Sequence, residues 1–208
     1  MDLNRVFENN EKWIQEKLAK DNAYFHKLGK GQSPQFLYIG CSDSRVDVEG
    51  LMGLEPGEAF VHRNIANMVI ATDLNAMSVV EYAVNHLKVA DVVVCGHYAC
   101  GGVKAAMLSE DLGLLNPWLR SIRDVYRLHA EELNTIEDEN KRYDRLIELN
   151  VQEQCVNLIK TAAIQKAVRD RGLKVHGWVF DVHSGKLIDL KIDFAAILEN
   201  IRKIYHLD

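Results

Sequence analysis

Two short apolar runs, "QFLYIG" at 35–40 and "DVVVCGH" at 91–97, constrain this chain more than any other feature. Both read as buried strands, the second strongly β-branched. "EAFVHR" at 58–63, introduced by the turn "EPG", is expected to be another strand. Helical text separates them. The first 28 residues place Val6, Trp13, Ile14, Leu18, Tyr24, Phe25 and Leu28 near 3.6-residue spacing, and "GKGQSP" at 29–34 breaks that pattern. A helix is expected over 74–88, another starting at 101–108, and a long charged helical stretch over 117–171. "KVHGWVFDV" at 174–182 and "GKLIDLKID" at 185–193 read as a hairpin turning at "HSG", and "FAAILENIRKIY" closes as a helix. Strands alternating with helices predict an α/β fold. Its centre is a mainly parallel β-sheet with an antiparallel edge strand, flanked by helices, with long N-terminal and C-terminal helical segments.

With no repeat and no linker, residues 1–208 read as one domain. The helical surplus at the ends, the arm at 1–30 above all, suggests packing on a partner subunit. A formal net charge of −5 argues against a nucleic-acid binder, and no stretch approaches the roughly 20 apolar residues of a membrane span. The amphipathic start "MDLNRVFENNEKWIQEKLAKDN" is too acidic for a targeting peptide, so a cytoplasmic location is expected. Four cysteines are too few and scattered for a disulfide scaffold. Thiols in such a chain are buried, catalytic or metal-bound.

Chemistry gathers at two strand ends. The run at 35–40 ends at Gly40 and delivers Cys41, Asp43 and Arg45; the run at 91–97 delivers His97 and then Cys100, Gly101 and Gly102. In parallel α/β sheets ligands bind past the carboxyl ends of strands, so neighbouring strands would bring both groups to one crevice. Two thiols, an imidazole and a carboxylate suit Zn²⁺. The spacing is neither that of a zinc finger nor a C-x-x-C redox pair. Taken singly, Cys41 and Cys100 could be core thiols, His97 a satisfied core histidine, Asp43–Arg45 a cap with a surface ion pair, and Gly101–Gly102 a turn. Cys95 and Cys155 read as packing residues. His62, His86, His129, His176 and His183 show no ligand-like partner.

The segments "CSDSRV", "EPGEAFVHRNIAN", "VVEYAVNHLKV" and "CGHYACGGVKAA" resemble the β-class carbonic anhydrases over about residues 31–107. The resemblance implies a zinc lyase that reversibly hydrates carbon dioxide to bicarbonate and a proton through zinc-bound hydroxide. It implies zinc on Cys41, His97 and Cys100, and a catalytic dyad of Asp43 and Arg45, with Asp43 a fourth ligand only in a closed state. It also implies a homodimer or homotetramer with active sites at the subunit interface. Three protein ligands leave one tetrahedral position open, as catalytic zinc requires. Asp43 can then accept a hydrogen bond from the bound hydroxide and aim its lone pair while Arg45 holds the carboxylate ionised, and Gly101 and Gly102 can offer backbone N–H groups to bicarbonate. Positions matching the family's carbon dioxide pocket are Gln32, Phe60, Ile65 and Tyr82, which could equally be packing residues. The family's inhibitory bicarbonate trio of Trp, Arg and Tyr falls on Tyr38, Arg63 and Phe180; two of three depart, so that inhibition is expected to be absent. Two rivals stand beside this reading: a zinc hydrolase of a related heterocumulene such as carbon disulfide, and a non-catalytic zinc-binding interaction protein.

Overall fold

Both apolar runs become strands, and they pair with each other. A computed structural model describes residues 2–204. Its strands are β1 (Phe36–Cys41), β2 (Ala59–Asn64), β3 (Asp91–His97), β4 (Lys174–Phe180) and β5 (Leu187–Asp189). They form one sheet in the order β2-β1-β3-β4-β5. β1 runs parallel to β2 and β3, and β3 parallel to β4, while β5 closes the edge antiparallel. The most apolar strands therefore sit inside the sheet, where both faces are covered. Leu37, Ile39, Val92 and Val94 point into the main core; Tyr38, Val93 and Cys95 alternate to the other face.

The helices are α1 (Asn4–Lys20), α2 (Tyr24–Leu28), α3 (Val48–Met52), α4 (Leu74–Glu81), α5 (Gly101–Ala106), α6 (Leu115–Leu128), α7 (Ala130–Asn134), α8 (Glu139–Ile159), α9 (Ala162–Arg171) and α10 (Phe194–Arg202). α8 carries ten buried residues against the sheet, among them Val151 and Cys155. It can come that close because β3 has glycine at 96: a Cβ there would lie 2.6 Å from Val151 Cγ2.

Several expected elements divide. The stretch expected as helix over 117–171 is four helices, broken where Asp138 and Thr161 cap α8 and α9 with their own side chains. The N-terminal helix stops at Asp21, whose backbone is extended and whose carboxylate accepts the Ala23 N–H. The helix expected over 74–88 passes into a π-turn at Tyr82–His86. The strand expected over 185–193 pairs only at Leu187–Asp189, because Asp189 takes the Lys191 N–H and Lys191 adopts φ 51°. α3 has no counterpart among the expected elements. Tyr205, expected in the closing helix, lies outside the described residues.

The chain divides into two compact units, Met1–Ser33 and Pro34–Asp208. The first holds α1 and α2 together through edge-on contacts among Trp13, Tyr24 and Phe25. No residue of α1 is buried, and Leu3 and Phe7 are 74% and 71% exposed. Among the described residues no helix is long and apolar enough to cross a membrane.

Candidate active site

Because β1 and β3 are parallel neighbours, their carboxyl ends open at the same edge of the sheet. Cys41 ends β1, His97 ends β3, and Cys100 is the N-cap of α5. Ala99, at φ 58°, turns the chain sharply between the last two. All three side chains are buried, and their ligand atoms lie within 4.8 Å of one another, with the two sulfurs 3.9 Å apart. His97 Nδ1 donates to the Tyr98 carbonyl at 2.9 Å, which leaves the lone pair on Nε2. Nε2 is itself buried without a hydrogen-bond partner. A buried imidazole nitrogen with no partner beside two buried thiols is the donor set of a zinc site, and these residues fit the ion.

Electrostatics separates the two thiols. Cys41 is drawn well below its ordinary value, first by the Cys100 thiol, then against burial by His97 and by backbone N–H groups. Cys100 moves the opposite way, pushed up by Cys41 and by burial, while the Val103 and Gly102 N–H groups pull it back. One negative charge is thus already favoured at this spot.

Asp43 is paired with Arg45. Arg45 donates from Nε to Oδ1 at 2.9 Å, from Nη2 to Oδ2 at 2.7 Å, and from its backbone N–H to Oδ1 at 3.0 Å. This fork holds the Asp43 carboxyl well below the usual carboxylate range. Oδ2 still lies only 3.7 Å from His97 Nε2. Arg45 Nη2 also donates to the Ala99 carbonyl at 3.0 Å, tying the β1 loop to the β3 loop. Two more residues brace the site. Arg63 donates to the Cys41 and Asp43 carbonyls at 2.8 and 2.6 Å, and the Tyr143 hydroxyl donates to the Cys100 carbonyl at 2.6 Å.

Comparison with known proteins agrees with this geometry. The family model "Carbonic anhydrase" matches residues 36–187. A carbonic anhydrase of Emericella nidulans is 58% identical over 204 residues, 98% of this chain and 90% of that protein. The chain belongs to the β-carbonic anhydrase family. The crystal structure of the β-carbonic anhydrase CafA of Aspergillus fumigatus superposes with TM-score 0.93 at 37% identity, covering all of both chains. A tetrameric β-carbonic anhydrase of Sordaria macrospora gives TM-score 0.87 at 42% identity, over 91% of this chain and 96% of that one. As an enzyme of the carbonic anhydrase family this chain is a lyase, which sets aside the non-catalytic rival.

The remaining β-carbonic anhydrase positions scatter more widely. Phe60 on β2 and Tyr82 in the π-turn bring their rings to 5.7 Å. Ile65 is 39% exposed, and its methyl approaches Gly102. Gln32 is exposed and belongs to the N-terminal unit. Tyr38 is fully buried, with Phe180 packed against its cluster. Cys95 and Cys155 are buried, and burial pushes the Cys95 thiol up to about 11. Two of the histidines for which the sequence shows no ligand-like partner sit beside carboxylates in the fold. His129 Nε2 meets Glu153 at 3.0 Å and His176 Nε2 meets Asp91 at 2.8 Å.

Proposed function

We propose that this enzyme reversibly hydrates carbon dioxide to bicarbonate and a proton, with one zinc ion held by Cys41, His97 and Cys100. The observation that carries the reading is the unpartnered His97 Nε2, buried beside two thiols and next to a carboxylate clamped by arginine. Zinc, when bound, supplies the Lewis acidity that brings the pKa of water down to about 7.

Asp43, staying ionised, accepts a hydrogen bond from the attacking water and orients it toward carbon dioxide, while buffer takes the released proton; the nearness of Oδ2 to His97 Nε2 supports this role. Arg45 keeps Asp43 ionised and turned outward. Its two-pronged pairing favours the open state, in which Asp43 is no ligand. Gly101 and Gly102 are assigned to bicarbonate through the first turn of α5. Phe60, Ile65, Tyr82 and Gln32, the last just beyond the N-terminal arm, are assigned to a carbon dioxide pocket partly supplied across a subunit interface. We assign that arm, residues 1–30, to packing on a second subunit in a homodimer or homotetramer. Inhibition by bicarbonate at Tyr38, Arg63 and Phe180 is expected to be absent. There Tyr38 is sealed in the core and Arg63 is engaged with main-chain carbonyls.

Asp43→Ala tests the division of labour. Metal analysis should still find about one zinc per chain, while hydration falls by about 100-fold or more. Unimpaired hydration would remove Asp43 from the chemistry. Loss of zinc from a folded variant would make Asp43 an obligatory ligand. Turnover of carbon disulfide with none of carbon dioxide would replace the substrate assignment.

A further inference from the structure

Behind the Cys100 turn, α5, α6 and the first turn of α8 surround an open cleft of about 650 Å³. Lys104, Arg123 and Arg142 line it, against one carboxylate, Glu139. That is an unusual local excess of positive charge in a chain of net −5. Among the described residues none of the three cations forms an ion pair. Both guanidinium groups are half-buried and already fixed in place. Arg123 Nε donates to the Ala106 carbonyl at 3.1 Å, and Arg142 Nε and Nη2 donate to the Ile136 carbonyl at 2.9 and 2.7 Å. The Nη atoms of Arg123 and Nη1 of Arg142 have no hydrogen-bond partner among the described residues. Such side chains lose little further freedom on binding. The attraction is not that of a helix end, because Asp138 already takes the Asn140 and Lys141 N–H groups.

We propose that this cleft is a binding site for a phosphate-bearing anion. Planar guanidinium forks match phosphate oxygens in pairs, and Lys104 adds a mobile point charge at the rim. A cleft of this size takes a small phosphorylated metabolite as well as phosphate itself. Tyr143 lines the same cleft while its hydroxyl holds the Cys100 carbonyl, so an occupant sits one side chain from the metal ligand. The binding claim does not depend on the substrate assigned to the active site.

The test is calorimetric titration of inorganic phosphate into the zinc-loaded protein at constant ionic strength. Saturable binding with Kd on the order of 1 mM is expected. Lys104→Glu changes an exposed side chain, leaves the fold intact, and should weaken binding at least tenfold. Arg142→Lys keeps the charge, loses the fork and should also weaken it. Arg127→Ala, on an arginine paired with Asp124 outside the cleft, should change nothing. No saturable binding would overturn the proposal. So would equal affinity in wild type and Lys104→Glu, which would place the phosphate elsewhere, the metal included.

Discussion

The carbonyl of Cys100 accepts two hydrogen bonds, from the Lys104 N–H at 3.0 Å and from the Tyr143 hydroxyl at 2.6 Å. Tyr143→Phe removes only the second and keeps the ring in place. A hydrogen bond of about 1 kcal/mol corresponds to roughly five-fold, so zinc should pass to a chelator about five times faster. An unchanged release rate would reduce Tyr143 to a space-filler. Nothing in the sequence marks this residue, which reaches Cys100 across 43 positions from another helix. Cys41, Asp43, Arg45, His97 and Cys100 were legible because each follows the end of an apolar run, where chemistry-bearing side chains stand out. The family resemblance points to Arg63 only as part of a bicarbonate trio; its grip on two carbonyls of the β1 loop depends on strand pairing that spacing does not reveal.

At the scale of elements, α5 hangs on the adjacency of two glycines with different tasks. A Cβ on Gly102 would lie 2.7 Å from Ile65 Cγ2 and 3.2 Å from Ala66 Cβ, whereas one on Gly101 would meet nothing within 4 Å. Gly102→Ala should therefore cost about 1–3 kcal/mol and lower Tm by several degrees, while Gly101→Ala leaves Tm in place. Equal melting curves for the two would refute the close packing of α5 on the turn after β2. β1 and β3 are legible in the sequence because strands buried on both sides carry a continuous apolar signature. Helical periodicity continues across a capped break, so the pattern alone overstates the length of these helices. The Asp138 and Thr161 caps are present in the sequence, but Asp138 is one charge in the run "EDENK" and Thr161 one polar residue in "LIKTAAI", so neither interrupts the helical pattern on its own. β5 shrank for a similar reason, since one side-chain hydrogen bond from Lys191 N–H to Asp189 ends a strand that its apolar pattern would prolong.

The whole molecule offers surfaces suited to another copy of itself. Leu3 and Phe7 are largely exposed on the N-terminal unit, and Phe36, Trp178 and Phe180 are only half-buried against the cluster of Tyr38, Val48, Val93 and Cys95. Light scattering should give at least twice the mass of one chain, and removal of residues 1–30 should lower the assembly state. A monomeric full-length protein would contradict the subunit packing assigned to the arm. A cytoplasmic location is expected from a start too acidic for a targeting peptide, and a homodimer or homotetramer from the family resemblance; the fold of one chain tests neither. The central claim is carbon dioxide hydration at the Cys41–His97–Cys100 centre, and stopped-flow pH-indicator measurement on the zinc-replete protein tests it most directly. The account predicts a rate well above buffer background that disappears when a chelator removes zinc and returns when zinc is restored. A zinc-replete, folded protein with no rate above background would contradict it.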